Sequence, residues 1–212
     1  MDITAHQSLP PVGSITLEVP DPAAANTFHT TAFGVHAEVR TRASAAPTTG
    51  FRGFVLSLVV SQPSTVDDLV GAALDRGATS VKPVAKSFWG YGGVVAAPDG
   101  TIWKVATSSK KDTGPTTRTI DDIVLLLGVT DVKASKRFYV DHGLTVARSF
   151  GSKYVEFAST GSPVKLSLLS RRALAKDAGV PVDGSGSHRV VIGSATGSFT
   201  DPDGFAWESA ST

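Results

Sequence analysis

Cysteine is absent from the 212 residues. That excludes disulfides, thiolate nucleophiles and cysteine zinc sites, and leaves histidine and carboxylates to hold any metal. An excess of charge is missing too, since 20 Lys and Arg stand against 19 Asp and Glu for a formal charge of +1. No basic run exceeds the pairs Lys110-Lys111 and Arg171-Arg172, so nothing marks nucleic acid as a partner. No apolar stretch approaches the ~20 residues of a membrane span. The opening MDITAHQSLPPVGS lacks the charged and apolar segments of a signal peptide. The expectation is a cytoplasmic protein without nucleic acid or membrane as partner. Also missing are the GxSxG elbow, the phosphate-binding loop and HExxH, so hydrolase, nucleotide and zincin readings have no motif.

What is present is written twice. APDGTIWK, Ala97 to Lys104, returns as DPDGFAWE, Asp201 to Glu208. Pro at the second and Gly at the fourth position of a turn make each phrase a hairpin device. The beginnings repeat as well. SITLEVPD alternates Ile15, Leu17 and Val19 with polar residues, as a half-buried strand does. After it, Asp21 reads as the N-cap of a helix carrying Phe28 and stopping at Gly34. With Asp131 aligned on Asp21, Leu125, Leu127 and Val129 fall on those strand positions and Phe138 on Phe28. Between the halves, SSKKDTGPTTRT has the composition of a linker. The expected division is a tail at 1–12, a first domain at 13–107, a linker at 108–119 and a second domain at 120–210.

Further elements follow from pattern. STVDDLVGAALDRGA reads as a helix capped by Ser64 or Thr65, and RRALAKDAG as a short one. The helix after Ser64 has no counterpart in the second half. HRVVIG would therefore bare Val190, Val191 and Ile192, and is expected to be covered by the first domain or by a second copy of the chain in a homodimer. Because side chains alternate along a strand, inward Trp103 and Trp207 put Lys104 and Glu208 on the opposite face.

The strand-Asp-helix-Phe openings and the two PDG hairpins ending in Trp-Lys and Trp-Glu resemble the vicinal oxygen chelate superfamily, which contains glyoxalase I, extradiol dioxygenases and bleomycin resistance proteins. The resemblance implies an α+β fold of two tandem glyoxalase-like domains, made of βαβββ units whose curved, mainly antiparallel sheets form cups. In metal-dependent members it implies ligands on the concave face: one in each opening strand, and a Glu in the last strand. At those positions the first domain has Ser14, an apolar residue near Val55, and Lys104; the second has Val124, His188 and Glu208. An ammonium repels a metal ion, and two donors are few for a tight site.

The expected function is therefore metal-independent binding of an antibiotic- or metabolite-like small molecule, with no cofactor. Its candidate site residues are His188, Glu208, Trp89, Tyr91, Lys104 and Ser14. Trp89 and Tyr91 enter because SFWGYGG sets aromatics among glycines, where a flat ligand stacks. Lys104 is placed on one face with Ser14, Thr16 and Glu18, within reach of an ion pair with Glu18. The alternative is a metal-dependent glyoxalase-like lyase or extradiol-type dioxygenase using His188 and Glu208 with a third ligand, for which Glu156 and Asp122 lie off the implied positions. A third reading is an interaction module without chemistry. Whether a reaction is catalysed stays open at this point.

Overall fold

The computed structural model describes residues 12–194 and 197–209; the expected tail before Val12, and Ala210, lie outside them. The first quarter holds β1 (Ser14–Val19), α1 (Pro22–Phe33), β2 (Val39–Ala43) and β3 (Thr48–Gly50). The second holds β4 (Phe54–Val59), α2 (Pro63–Asp75), β5 (Thr79–Ser87), β6 (Gly90–Ala96) and β7 (Ile102–Thr107). Beyond the linker come β8 (Asp122–Val129), α3 (Val132–Asp141), β9 (Val146–Phe150), β10 (Tyr154–Phe157) and β11 (Lys165–Ser170). The chain ends with α4 (Arg171–Ala178), β12 (Gly184–Gly186), β13 (Val190–Ser194), β14 (Phe199–Thr200) and β15 (Ala206–Ser209).

The local signals act as expected. Asp21 accepts from Ala24 N, Pro22 opens α1, and Gly34 closes it at φ 74°. Asp131 does the same for α3, accepting from Lys133 N and Ala134 N. In the two hairpins Gly100 N donates to Ala97 O, and Gly204 N to Asp201 O. Both glycines hold positive φ, 81° and 91°, which a side chain would strain. Helix α2 differs from expectation. It starts at Pro63, and its N-cap Gln62 makes no side-chain cap bond. Asp112 of the linker caps it instead, accepting from Ser64 N at 2.8 Å. Gln62, freed from capping, takes the linker backbone at Thr113 N, Gly114 N and Pro115 O. The polar composition of 108–119 thus serves docking as well as connection.

The fold is α+β with mainly antiparallel sheets. In the eight-stranded sheet the order is β5-β6-β7-β4-β8-β11-β10-β9, and in the five-stranded sheet β14-β15-β13-β1-β2. A short ribbon pairs β3 with β12. Three units return their last strand parallel to their opening strand, β7 to β4, β11 to β8 and β15 to β13, and in the first β2 takes that place beside β1. The other edge of every opening strand is then unpaired, and two opening strands satisfy each other, β4 with β8 and β1 with β13. This corrects one expectation. The halves do not each complete a sheet: the second quarter pairs with the third, and the first with the last. It also shows what covers β13, which lies between β1 and β15; Val190, Val191 and Ile192 are buried within the single chain. Coverage comes from the first half, and no second copy is needed for it.

Helix-facing residues of both sheets join one contiguous core. Trp103 packs on His29 and Phe33 of α1, and Trp207 on Tyr139 of α3. Both indoles are almost wholly buried. Their faces are therefore taken, and the residues beside them in sequence turn the other way.

Candidate functional site

On the side of the eight-stranded sheet away from Trp103, the register aligns Lys104 with Ser57, Ser57 with Val124, and Val124 with Lys165. These four sit on the closing, opening, opening and closing strands of two adjoining units. Part of this concave face is filled by α4, whose Leu174, Ala175 and Ala178 pack on Phe51, Val55, Leu126 and Leu169. Helix α4 is short and ends at Gly179, in the left-handed region at φ 81°. A Cβ there would fall 2.5 Å from Lys82 Cγ, so the glycine also lets the Lys82 stem pass.

That close approach sets up the polar end of a cleft. Lys104 Nζ donates to the Asp177 carboxylate at 2.7 Å, and Lys82 Nζ donates to the Asp177 backbone oxygen at 2.8 Å. The cleft has a volume of about 460 Å³ and lies between β5–β7 and the end of α4. Gly92, Val94 and Ala106 give it a floor of small side chains, with Lys82, Lys104 and Trp89 around them. Gly92 is tight against its neighbour strand: a Cβ would lie 2.7 Å from Val105 O. Trp89 stands at the β5–β6 turn with 83% of its surface exposed, edge to face with Phe88 at 81%. Lys110 lies over the Phe88 ring.

Of the residues singled out in sequence, Trp89, Tyr91 and Lys104 all border this cleft. Tyr91 pairs with Thr107, so its side chain alternates to the helix face, where its hydroxyl donates to Asp67 at 2.8 Å. That bond and partial desolvation raise the phenol pKa. Asp177 and Lys82 were not anticipated. The helix of Asp177 was legible, but its placement over the sheet depends on a chain path that local pattern does not encode.

Ser14 and Glu208 belong to the other sheet, both in register with Gly193. A Cβ on Gly193 would lie 2.5 Å from Ser14 Oγ, so the row is closed over the glycine. Glu208 accepts from Arg42, which also donates to Glu18 at 2.7 Å. The ion pair considered between Lys104 and Glu18 is therefore not made; the two lie in different sheets, and Lys104 pairs with Asp177 of α4 while Glu18 pairs with Arg42 of β2. His188 sits before β13, stacked on Phe205 with its ring nitrogens facing the carbonyl oxygens of Arg52 and Asp203. It lies outside β13, five residues before Gly193, the register partner of Glu208, with Arg189 in the left-handed region between them at φ 53°. The structure does not bring His188 and Glu208 together.

The donor set does not fit the metal that the resemblance allowed for. Two ammonium groups occupy closing-strand positions of the larger sheet, with Ser57 and Val124 between them. The matching places in the smaller sheet carry Glu208, Gly193 and Ser14, with Glu38 beside Ser14 just ahead of β2. Among the described residues no group of three or more His, Cys, Asp or Glu is arranged to hold a metal ion.

No family model matches the chain, and no curated protein matches it. Solved structures do. Glyoxalase I from Zea mays superposes with a TM-score of 0.61 at 16% identity, over 93% of this chain and 90% of that one. A putative dioxygenase from Bacillus subtilis superposes with a TM-score of 0.52 at 12% identity, over 88% and 71%. At such identities the likeness is one of fold, and it extends over nearly the whole chain: the protein has the fold of glyoxalase I.

Proposed function

We propose that the protein binds a flat small organic molecule, of the antibiotic or metabolite kind, in the cleft between β5–β7 and α4, without a metal. The observation that carries this reading is Trp89, an 83% exposed indole at the rim of a 460 Å³ cleft with a floor of small side chains. Exposing a tryptophan to water is unfavourable, and an aromatic ligand stacked on it removes that exposure. The volume lies within the usual range of small-molecule pockets. Lysines at the closing-strand positions support metal independence, because the same positions would have to donate lone pairs to a cation.

A small-molecule screen by thermal shift, run in EDTA, tests the reading. Hits are expected to stabilise the wild type by mass action, and to lose that effect in Trp89→Ala and in the cleft-filling Ala106→Trp. A hemithioacetal is expected to show no turnover, with or without added divalent metal. Hits that vanish in EDTA, or that ignore both substitutions, would overturn the proposal. The cytoplasm remains the proposed compartment; among the described residues no helix is long and apolar enough to cross a membrane.

A further inference from the structure

We infer that the ligand of this cleft is an aromatic acid, a flat ring system carrying a carboxylate; this rests on the reading of the cleft as a ligand site. The charged residues bordering it are Lys82, Lys86, Lys104 and Asp177, three cations to one anion. The single carboxylate is already engaged by Lys104 at 2.7 Å. Lys82 bonds only the neutral Asp177 carbonyl. Neither Lys82 nor Lys86 has an ion pair among the described residues.

The bond to Asp177 O holds the Lys82 ammonium over the floor rather than free in solvent, so an incoming anion meets a placed donor. A cationic ligand would have to compete with Lys104 for Asp177 while facing Lys82 at close range, which is unfavourable on both counts. The aromatic part follows from position. Trp89 stands beside Gly90 at the rim, and Gly92, Val94 and Ala106 leave a floor with no bulky side chain. A planar ring on that floor would have the indole towards the Gly90 end of β6 and the ammonium of Lys82 towards Val94, its register partner.

Three probes of one shape and different charge separate this inference from the reading beneath it: naphthoate, naphthylmethanol and naphthylmethylammonium, titrated calorimetrically in EDTA at low salt. Naphthoate is expected to bind about tenfold more tightly than the alcohol, the scale of a charge-assisted hydrogen bond, and the ammonium most weakly. Lys82→Gln, on an exposed edge strand, is expected to bring naphthoate to the level of the alcohol, with a smaller loss for the alcohol than for naphthoate. Trp89→Ala is expected to weaken both. Equal binding of all three probes, unmoved by Lys82→Gln but lost in Trp89→Ala, would overturn the acid inference and leave the cleft standing. Failure of every probe to bind in a Trp89-dependent way would overturn both.

Discussion

Trp103 and Trp207 hold the same place in two different sheets: Trp103 is the register partner of Leu56, which faces Leu125, and Trp207 is the partner of Ile192, which faces Ile15. The repeated phrase thus ends in a matched pair of anchors, one under α1 and one under α3. Either indole truncated would leave a large cavity in the core shared by both sheets. Trp103→Ala and Trp207→Ala are each expected to cost about 3–5 kcal/mol in urea unfolding. A loss under about 1 kcal/mol in either would show that the two hairpins are not equivalent anchors.

The linker carries a second expectation. Since Asp112 caps α2 from outside the helix, Asp112→Ala removes an N-cap without touching the helix sequence. The expected loss is about 1 kcal/mol. Cleavage by a protease between Ser108 and Thr119 should also become faster, because the strap loses one of its ties to α2. Unchanged stability together with unchanged cleavage would mean that the cap contributes nothing.

His29 supplies the pH dependence. It is buried against Trp103, with the Asp99 carboxylate 3.9 Å away. Desolvation outweighs that neighbouring charge and lowers its pKa below the ordinary 6.5. The unfolded chain takes up a proton as pH falls through about 6.5, while the native chain does so only at lower pH, so stability falls with pH in that window. The limiting slope for one proton is about 1.4 kcal/mol per pH unit. Urea midpoints followed from about pH 7.5 to about 5.5 should drop in the wild type and drop less in His29→Phe. Parallel curves for the two proteins would remove His29 from the account.

Much of this fold was legible because its signals are local. The caps Asp21 and Asp131, the stop at Gly34, the positive-φ glycines of the two hairpins and the apolar alternation of β1 and β8 all act within a few residues. The pairing of β1 with β13 and of β4 with β8 was not legible. Every opening strand offers the same kind of unpaired edge, and only the chain path decides which two meet. The site followed the same division. Trp89 and Lys104 could be placed by turn and alternation, whereas Asp177 and Lys82 meet through the docking of α4. The resemblance implies a ligand position at His188, but its ring nitrogens face the carbonyl oxygens of Arg52 and Asp203, and that placement rests on chain path rather than on local pattern.

The most direct measurement is amide chemical-shift mapping of the nitrogen-labelled protein titrated with naphthoate in EDTA. The account predicts perturbations confined to β5–β7 around Lys82, Trp89, Gly92 and Ala106, and to the end of α4 near Asp177. Shifts centred instead on Ser14, Arg42, Gly193 and Glu208, or shifts that appear only when a divalent metal replaces the chelator, would contradict it.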